Sequence, residues 1–355
     1  MPETTTDRAA AVGPDTPPTH DPVPHDPGTA KPVDPEALFK VASGFMAAKH
    51  LFAAAELGLF ARLGEGPATL EDLTARLGIG ARTTRITADS MVALGFVERS
   101  GDRYRNGAIA DAYLADRGAI DLRPFLRFWD RISYANWATL AQSLRTGVAA
   151  KPELTPEEGE IFATGVEAVT AGSAHALAEA PELEGRRRLL DVGGGTGSFL
   201  VAALARHPEL SGTLVEVEPV LSVAREAIAA GPVARRVDVV GADASTDPLP
   251  TGHDAVLIAN VAHLLSPEAN RAVLRHVREA SEPGTQLLLV DFWTDASHTD
   301  PPFAALMAGE FALFSDDGDV YSEQEVHEWL ADTGWKHGAR RSLAGPQSLI
   351  PAVAV

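Results

Sequence analysis

A histidine follows directly on a run of apolar residues in DAVLIANVAHLLSPEAN, residues 254–270. His263 stands where this predicted strand ends, immediately before a predicted helix start. An imidazole, with an ordinary pKa of ~6.5, can act as a general base for a hydroxyl group. A packed core histidine and a metal ligand are the alternatives. Because His253 is ten residues away and no His-x-x-His or paired carboxylates accompany the two, we expect no metal site.

A glycine-rich loop stands next to the first predicted strand of the same region, in LLDVGGGTGSF. Glycines at 193–195 let the backbone pass close to a ligand through conformations that side chains forbid. The loop is neither the G-x-G-x-x-G of dinucleotide-binding proteins nor a phosphate-binding P-loop. Since Asp191 precedes it, the loop suits a nucleoside cofactor with a cationic or amino acid tail.

Two further acids are predicted at the ends of the next two strands. Glu216 lies 19 residues after Gly197, which is the spacing at which an acid binds ribose hydroxyls in dinucleotide-binding folds. Asp243 ends the third predicted strand in GADAS and is well placed for an adenine amino group. The carboxyl ends of parallel strands share one edge of a sheet, so we expect these acids to lie near His263.

The elements that position these residues follow from the pattern after residue 186. Apolar strands (RLLDVG, GTLVEVE, RVDVVGAD, DAVLIANV and TQLLLVDF) alternate with helical stretches at 197–206, 219–230 and 267–281. This alternation predicts a parallel sheet covered on both faces, an α/β fold. The chain would end in a hairpin-like pair of strands, with Pro351 at an edge or bulge.

The acidic segment SDDGDVYSEQE lies between the strand TQLLLVDF and the C-terminal pair of strands. It does not fit the spacing of a calcium-binding loop. We expect it to be a solvated loop that caps the next helix through Ser322 and Glu325.

The N-terminal part has a different character. Residues 1–34 are rich in proline and acids and are predicted to be disordered. A helix is predicted from Asp34-Pro35, and then short amphipathic helices and a polar-tipped hairpin at 96–105 form a winged-helix pattern. Its helix 82–94 could place Arg82 and Arg85 in a DNA groove. Packing or dimerisation is the expected role, because two arginines on so acidic a chain are weak support for DNA binding.

Length and composition limit the number of domains and the kinds of partner that the chain can have. The 355 residues allow two domains, placed at 35–150 and 151–355. A net charge of −19 without a basic patch argues against nucleic acid as a partner. The absence of cysteine excludes disulfides and thiolate chemistry. No apolar run reaches the roughly 18 residues that a membrane span needs, so we expect no membrane partner and a cytoplasmic protein.

The motifs DVGGGTG, LVEVEP, GADAS and ANVAH together resemble the S-adenosylmethionine-dependent small-molecule O-methyltransferases over residues 37–355. The resemblance implies a Rossmann-like methyltransferase domain behind an N-terminal, mainly helical winged-helix domain that makes a homodimer. It also implies S-adenosylmethionine as cofactor. Its amino acid end would be bound by Asp191, Gly193 and Gly195, its ribose by Glu216 and its adenine by Asp243 and Ala244; Asn260 completes the predicted cofactor site.

In the resembling family the histidine at the position of His263 is the general base, and Asp291 matches the first of two carboxylates that orient it. The sequence departs from the pattern in two ways. Leu264-Leu265 replaces Asp-Trp, and Val320 stands where the second carboxylate belongs, with Asp319 one position away.

The acceptor implied is a phenolic hydroxyl of an aromatic or polycyclic secondary metabolite. The candidate substrate-binding residues are Phe45, Met46, Trp129, Phe162, Met307 and Phe311. C- or N-methylation, or a non-methylating reaction with the same cofactor, remains open, as do a winged-helix regulator that responds to S-adenosylmethionine and a nicotinamide-dependent oxidoreductase.

Overall fold

The computed structural model describes residues 33–118, 120–218 and 220–355. The predicted disordered tail therefore lies, apart from its last two residues, outside the described part. Contacts divide the chain after Phe45, into a first unit that ends there and a second unit, Met46–Val355.

One helix was predicted from Asp34-Pro35, and the structure has two, α1 (Glu36–Ala42) and α2 (Gly44–Glu56). The interruption is at Ser43, whose hydroxyl donates to the carbonyl of Phe39 at 2.7 Å. The backbone N–H of Ser43 donates to the same carbonyl at 2.9 Å, and a glycine, which has low helix propensity, follows directly.

The predicted winged-helix pattern is present in the second unit. Its elements are α3 (Leu59–Gly64), β1 (Ala68–Thr69), α4 (Leu70–Leu77), α5 (Ala81–Ala93), β2 (Val97–Ser100) and β3 (Arg103–Asn106). The strands form a three-stranded sheet in the order β1-β3-β2. Thr69 and Asp72 cap α4 reciprocally, which fixes where this helix begins. Arg85, a candidate DNA contact, pairs instead with Asp89 on the same helix at 3.1 Å.

A helical segment connects this region to the large sheet. It comprises α6 (Ala108–Tyr113), α7 (Arg123–Phe128), a π-helical turn (Trp129–Ser133), α8 (Tyr134–Trp137), α9 (Leu140–Thr146) and the long α10 (Pro156–Ala178). Helix α10 crosses α7 closely: a Cβ on Gly165 would stand 2.3 Å from the Cβ of Phe128. The aromatic stretch predicted to be helical is therefore helical, with a π-turn at its centre.

The large sheet contains β4 (Arg188–Val192), β5 (Ser211–Glu216), β6 (Val237–Gly241), β7 (Ala255–Ala259), β8 (Gln286–Asp291), β9 (Trp335–His337), β10 (Arg341–Ser342) and β11 (Ser348–Ala354). Its order is β10-β11-β8-β7-β4-β5-β6, and β9 pairs with β11. Strands β4 to β8 run parallel, whereas β11 is antiparallel to β8. This is the predicted α/β fold.

The helices of this part of the chain are α11 (Ser198–Arg206), α12 (Val220–Ala230), α13 (Pro267–Glu279), α14 (Pro302–Phe314) and α15 (Glu323–Asp332). Alternate residues of one strand enter different cores, with Leu190 in one apolar cluster and Leu189 in the other. Strand order reverses between β4 and β7, because the chain proceeds from β4 to β5 and β6 on one side and then to β7 and β8 on the other. Ligands of open α/β sheets bind at this switch point, outside the carboxyl ends of the strands.

Two local predictions need correction. Pro351 lies inside a strand paired on both sides, opposite Leu288 of β8. Its carbonyl accepts from the N–H of Gly338, between the short strands β9 and β10. The N–H and C=O of a strand residue point to the same side. The nitrogen of Pro351, which has no hydrogen to donate, therefore points into this gap, and no hydrogen bond between strands is lost. Asp243 does not end the third strand of the sheet, which stops at Gly241.

The loop SDDGDVYSEQE behaves as predicted at its end, where Ser322 and Glu325 form a capping box on α15. Within the described residues, no helix combines the length and the apolar character that crossing a bilayer would require.

Candidate active site

His263 lies in a single helical turn, Ala262–Leu264, directly beyond the end of β7. Its Nδ1 is 2.6 Å from Oδ1 of Asp291, the last residue of β8, and its backbone N–H donates to Oδ2 at 3.3 Å. Asp291 is 1% exposed. Because a carboxylate accepts at Nδ1, that nitrogen carries the proton and Nε2 carries the free lone pair. In the described part of the chain, Nε2 has no hydrogen-bond partner.

The ring of His263 packs against aromatic side chains. Phe311 of α14 stacks on it with centroids 3.7 Å apart and planes at 13°, and the ring of Phe292 is 6.2 Å away. Val320 packs with these two phenylalanines and is 2% exposed, so no second carboxylate lies there. Asp319 is exposed, and it approaches the histidine only through its N–H, which donates to the carbonyl of His263 at 3.1 Å. The imidazole is therefore oriented by one carboxylate and one aromatic face.

Two of the candidate substrate residues, Phe311 and Met307, lie in the apolar cluster at this histidine, and a third, Trp129, is linked to it through other aromatic rings. Met307 joins the apolar cluster of Phe311. Trp129 faces Phe303 with parallel rings, 6.4 Å between centroids and 1° between planes, and Phe303 in turn contacts Phe292 at 6.3 Å. A continuous aromatic path thus connects Trp129 to the base. Phe303 and Phe292 were not predicted, and no sequence spacing pointed to them.

The other three candidates are not brought to the histidine. Phe162 packs against Phe128 at 5.3 Å and Phe314 at 6.1 Å, in a cluster that Trp129 also joins but the aromatic rings at the histidine do not. Phe45 belongs to the first unit, and it and Met46 are 50% and 55% exposed.

Asp191 lies in β4, directly before the strand's last residue, and is 1% exposed. Neither of its carboxylate oxygens has a hydrogen-bond partner in the described structure. Burial, with a smaller contribution from nearby Glu216, raises the pKa of Asp191 to about 7. A buried carboxylate with no partner is costly, and a cationic ligand would remove that cost.

The glycine loop passes directly over this carboxylate. A Cβ on Gly194 would stand 2.4 Å from Oδ2 of Asp191. Gly193 has φ +67°, and a Cβ there would stand 2.7 Å from a methyl group of Val261. Glycine is therefore required at both positions, and Gly194 joins Gly193 and Gly195 as a position where the backbone comes close to a ligand site.

The remaining predicted cofactor residues lie along the edge of the large sheet where the parallel strands end. Glu216 ends β5 as predicted, and its carboxylate accepts from the N–H groups of Gly195 and Val217, each at 2.9 Å. Asp243 is exposed and accepts from the N–H and hydroxyl of Ser245, which lower its pKa.

Ala244 and Asn260 complete this edge. The carbonyl of Ala244 is 3.0 Å from Nδ1 of His276. Asn260 follows β7 with a left-handed backbone, φ +59°, and its side-chain oxygen accepts from the amide of Gln347. It directly precedes Val261, which packs on the glycine loop.

Comparison with known proteins identifies the family to which the chain belongs. Residues 149–336 match the model of an O-methyltransferase domain, and residues 39–116 match that of an O-methyltransferase dimerisation domain. A 3-hydroxy-5-methyl-1-naphthoate 3-O-methyltransferase from Streptomyces sahachiroi is 34% identical over 88% of this chain and 92% of its own length. An N,N-dimethyltransferase from Streptomyces rimosus is 29% identical over 87% of this chain and 94% of its own.

Among solved structures, the S-adenosylmethionine-dependent methyltransferase SibL in its apo form superposes with a TM-score of 0.80 at 32% identity. The match covers 90% of this chain and 99% of SibL. The two sequence models, the relatives and the fold agree with one another. The chain belongs to the O-methyltransferase family, and S-adenosylmethionine is its cofactor.

Proposed function

We propose that the protein methylates a phenolic hydroxyl of an aromatic acceptor, with His263 as general base. The observation that carries this proposal is the buried Nδ1–Asp291 hydrogen bond of 2.6 Å, which leaves Nε2 unpartnered beside an aromatic wall. A phenol, with pKa ~10, must lose its proton during methyl transfer, and an imidazole is a suitable acceptor. Asp291 holds the tautomer and stabilises the imidazolium that forms.

The residues at the sheet edge fit the cofactor. The unpartnered carboxylate of Asp191 suits the ammonium group of the methionine moiety, and the backbone at Gly193–Gly195 leaves room for that moiety. Glu216 is placed for the ribose hydroxyls, Asp243 and Ala244 for the adenine, and Asn260 for the floor of the site between the loop and the base. When bound, S-adenosylmethionine supplies an electrophilic methyl group on a positively charged sulfur.

The protein's own contribution to the reaction is positioning and proton removal. The aromatic side chains near the base exclude water and hold a flat acceptor, and reactions of this kind gain most from such alignment. The phenolic proton would pass to Nε2 of His263 as the acceptor oxygen takes the methyl group, and His263 would later return it to solvent. We assign Met307 and Phe311 to the acceptor pocket because they pack at the base, and Trp129 because it stacks on Phe303 at the far end of the same aromatic path.

A direct experiment is incubation of the protein with methyl-labelled S-adenosylmethionine and a panel of naphthols and dihydroxynaphthalenes, with the products identified by mass spectrometry and NMR. We expect the label on a phenolic oxygen. Label on a ring carbon, or no label transferred to any phenol of the panel, would contradict the proposal.

Replacement of Glu216 tests the cofactor assignment. We expect Glu216→Ala to weaken binding of S-adenosylhomocysteine by about tenfold, because charge-assisted hydrogen bonds to the ribose are lost. Isothermal titration calorimetry measures this, with Glu226→Ala, an exposed acid of α12, as the matched control. An unchanged dissociation constant for Glu216→Ala would remove this residue from the ribose site.

We also propose that the protein is a homodimer in which Phe45 and Met46 reach the acceptor pocket of the partner. The dimerisation domain matches residues 39–116. Helix α1 exposes Leu38, Phe39 and Val41 by 69%, 67% and 81%, and several large apolar side chains on one short helix are a surface that a partner covers.

Sedimentation equilibrium tests this association. We expect about twice the chain mass of 37.4 kDa, and a shift toward the single-chain mass when Leu38 and Phe39 are both replaced by Glu. Leu144→Glu, at a side chain of α9 with 67% exposure, is the control and should leave the mass unchanged. A wild-type protein that sediments as one chain at micromolar concentration would contradict the homodimer.

A further inference from the structure

Besides Asp191 and Asp291, a further buried carboxylate lies on the helix that carries Phe311. Glu310 of α14 is 5% exposed. One of its oxygens, Oε2, accepts from the hydroxyl of Ser133 at 2.8 Å and from the indole N–H of Trp137. The other oxygen, Oε1, is buried and has no partner in the described structure. The two donors fix the carboxylate in one orientation and leave one oxygen for something else.

A second unpartnered polar group comes from the facing segment. Asn136 is 6% exposed, and its side-chain nitrogen is buried without a hydrogen-bond partner in the described residues. It directly precedes Trp137, which donates to Glu310, and follows Ser133 by three residues, so it shares one helical face with Ser133. An unsatisfied buried donor and an unsatisfied buried acceptor in neighbouring turns each cost free energy unless a ligand pairs with them.

The location connects these groups to the acceptor pocket. The segment with Ser133 and Asn136 begins at Trp129, in the π-helical turn, and such turns occur frequently at functional sites. Across from it, Phe303 and Glu310 are seven residues apart on α14, two helical turns on the same face. The parallel Trp129 and Phe303 rings therefore lie at one end of this helix interface, and the Glu310–Ser133–Trp137 contacts lie at the other.

We infer that Glu310 and Asn136 form a polar subsite for a second hydroxyl group of the aromatic acceptor, apart from the hydroxyl that is methylated. A hydroxyl both donates and accepts, so it satisfies Oε1 of Glu310 and the amide nitrogen of Asn136 together. This inference rests on the proposed methylation of a phenol and names the acceptor class: a polycyclic aromatic with at least two hydroxyl groups. Burial raises the pKa of Glu310, and the two donors on Oε2 oppose that shift.

The test compares binding of 2-naphthol with binding of the 1,5-, 1,6-, 2,6- and 2,7-dihydroxynaphthalenes. The full chain is saturated with S-adenosylhomocysteine, and binding is measured by tryptophan fluorescence. We expect at least one diol to bind about tenfold more tightly than 2-naphthol, as for a buried hydrogen bond. Glu310→Gln keeps the shape but presents an amide in place of the carboxylate, and Asn136→Ala removes the donor. Each variant should reduce the diol preference to within about twofold, with 2-naphthol binding unchanged.

Two controls separate binding from structure. Glu157→Gln, at an acid with an exposed side chain on α10, should retain the wild-type preference. Thermal unfolding shows whether the Glu310 variant folds, and the Asn136 variant tests the same subsite independently.

A wild-type protein without preference for any diol, or two folded variants that both keep the full preference, would overturn the subsite. Methyl transfer to 2-naphthol would still stand in that case, so failure of the subsite is distinguishable from failure of the proposed phenol methylation.

Discussion

We expect His263→Ala to lower the rate constant for methyl transfer by about 10²–10⁴-fold while the dissociation constant for S-adenosylhomocysteine changes less than about threefold. The reason is the separation of the two sites along the sheet edge. Nε2 of His263 is unpartnered and lies beyond the end of β7, whereas Asp191 lies in a different strand, β4, and the glycine loop follows that strand. Single-turnover kinetics and calorimetry measure the two quantities separately.

The matched control is His175→Ala, at an exposed histidine of α10, which should leave both values unchanged. Asp291→Asn should give an intermediate loss of rate, because the amide can hold the ring but cannot stabilise the imidazolium. The rate of the Asp291 variant should also fall more steeply with acceptors of higher pKa. Methyl transfer by His263→Ala at the wild-type rate would show that the base lies elsewhere or that the acceptor is already ionised.

The sheet edge was predictable because each of its residues lies at or within a few residues of the end of a strand. Strand ends are marked by the change from apolar to polar residues, and parallel strands bring those ends to one edge irrespective of their distance in the chain. The contact of His263 with Asp291 therefore follows from two strand patterns, β7 and β8, that are adjacent in the sheet. The position of Asp243 was less accurate, since the β6 pattern continues beyond the last ladder bond at Gly241.

The acceptor pocket was predicted less well, for a physical reason. Its residues come from a helix with a π-turn and from α14, and apolar side chains on helices have the same periodicity whether they line a pocket or fill a core. Trp129 and Phe162 look equivalent in sequence, yet only Trp129 contacts the path to the base. Glu310 was missed because its burial results from the packing of α14 against the 129–137 segment, which the sequence of α14 alone does not reveal.

The glycine loop shows how a functional site departs from ordinary packing. Elsewhere in β4, apolar residues such as Leu189 and Leu190 fill the two cores. Asp191 places an unpartnered carboxylate in the same strand, which destabilises the unliganded protein and is repaid when a cation binds. The strain is thus concentrated where the cofactor's ammonium group would lie.

Asp191→Asn should therefore weaken S-adenosylhomocysteine binding by on the order of tenfold to a hundredfold and remove its dependence on pH. Burial and Glu216 raise the pKa of Asp191 to about 7, and the ligand's ammonium group binds the ionised form. In the wild type the affinity should rise as pH increases, by about tenfold per unit below pH 7, and level off above it.

The stability of the unliganded protein should change with pH in the opposite direction. The folded state holds a proton that the unfolded state releases near pH 4, so the free energy of unfolding should fall as pH rises from 4 to 7, by about 4 kcal/mol at most. Calorimetry and urea unfolding at pH 5.5, 6.5 and 7.5 measure both trends, with Asp238→Asn on β6 as control. A wild-type affinity independent of pH across this range would contradict the placement of the ammonium group at Asp191.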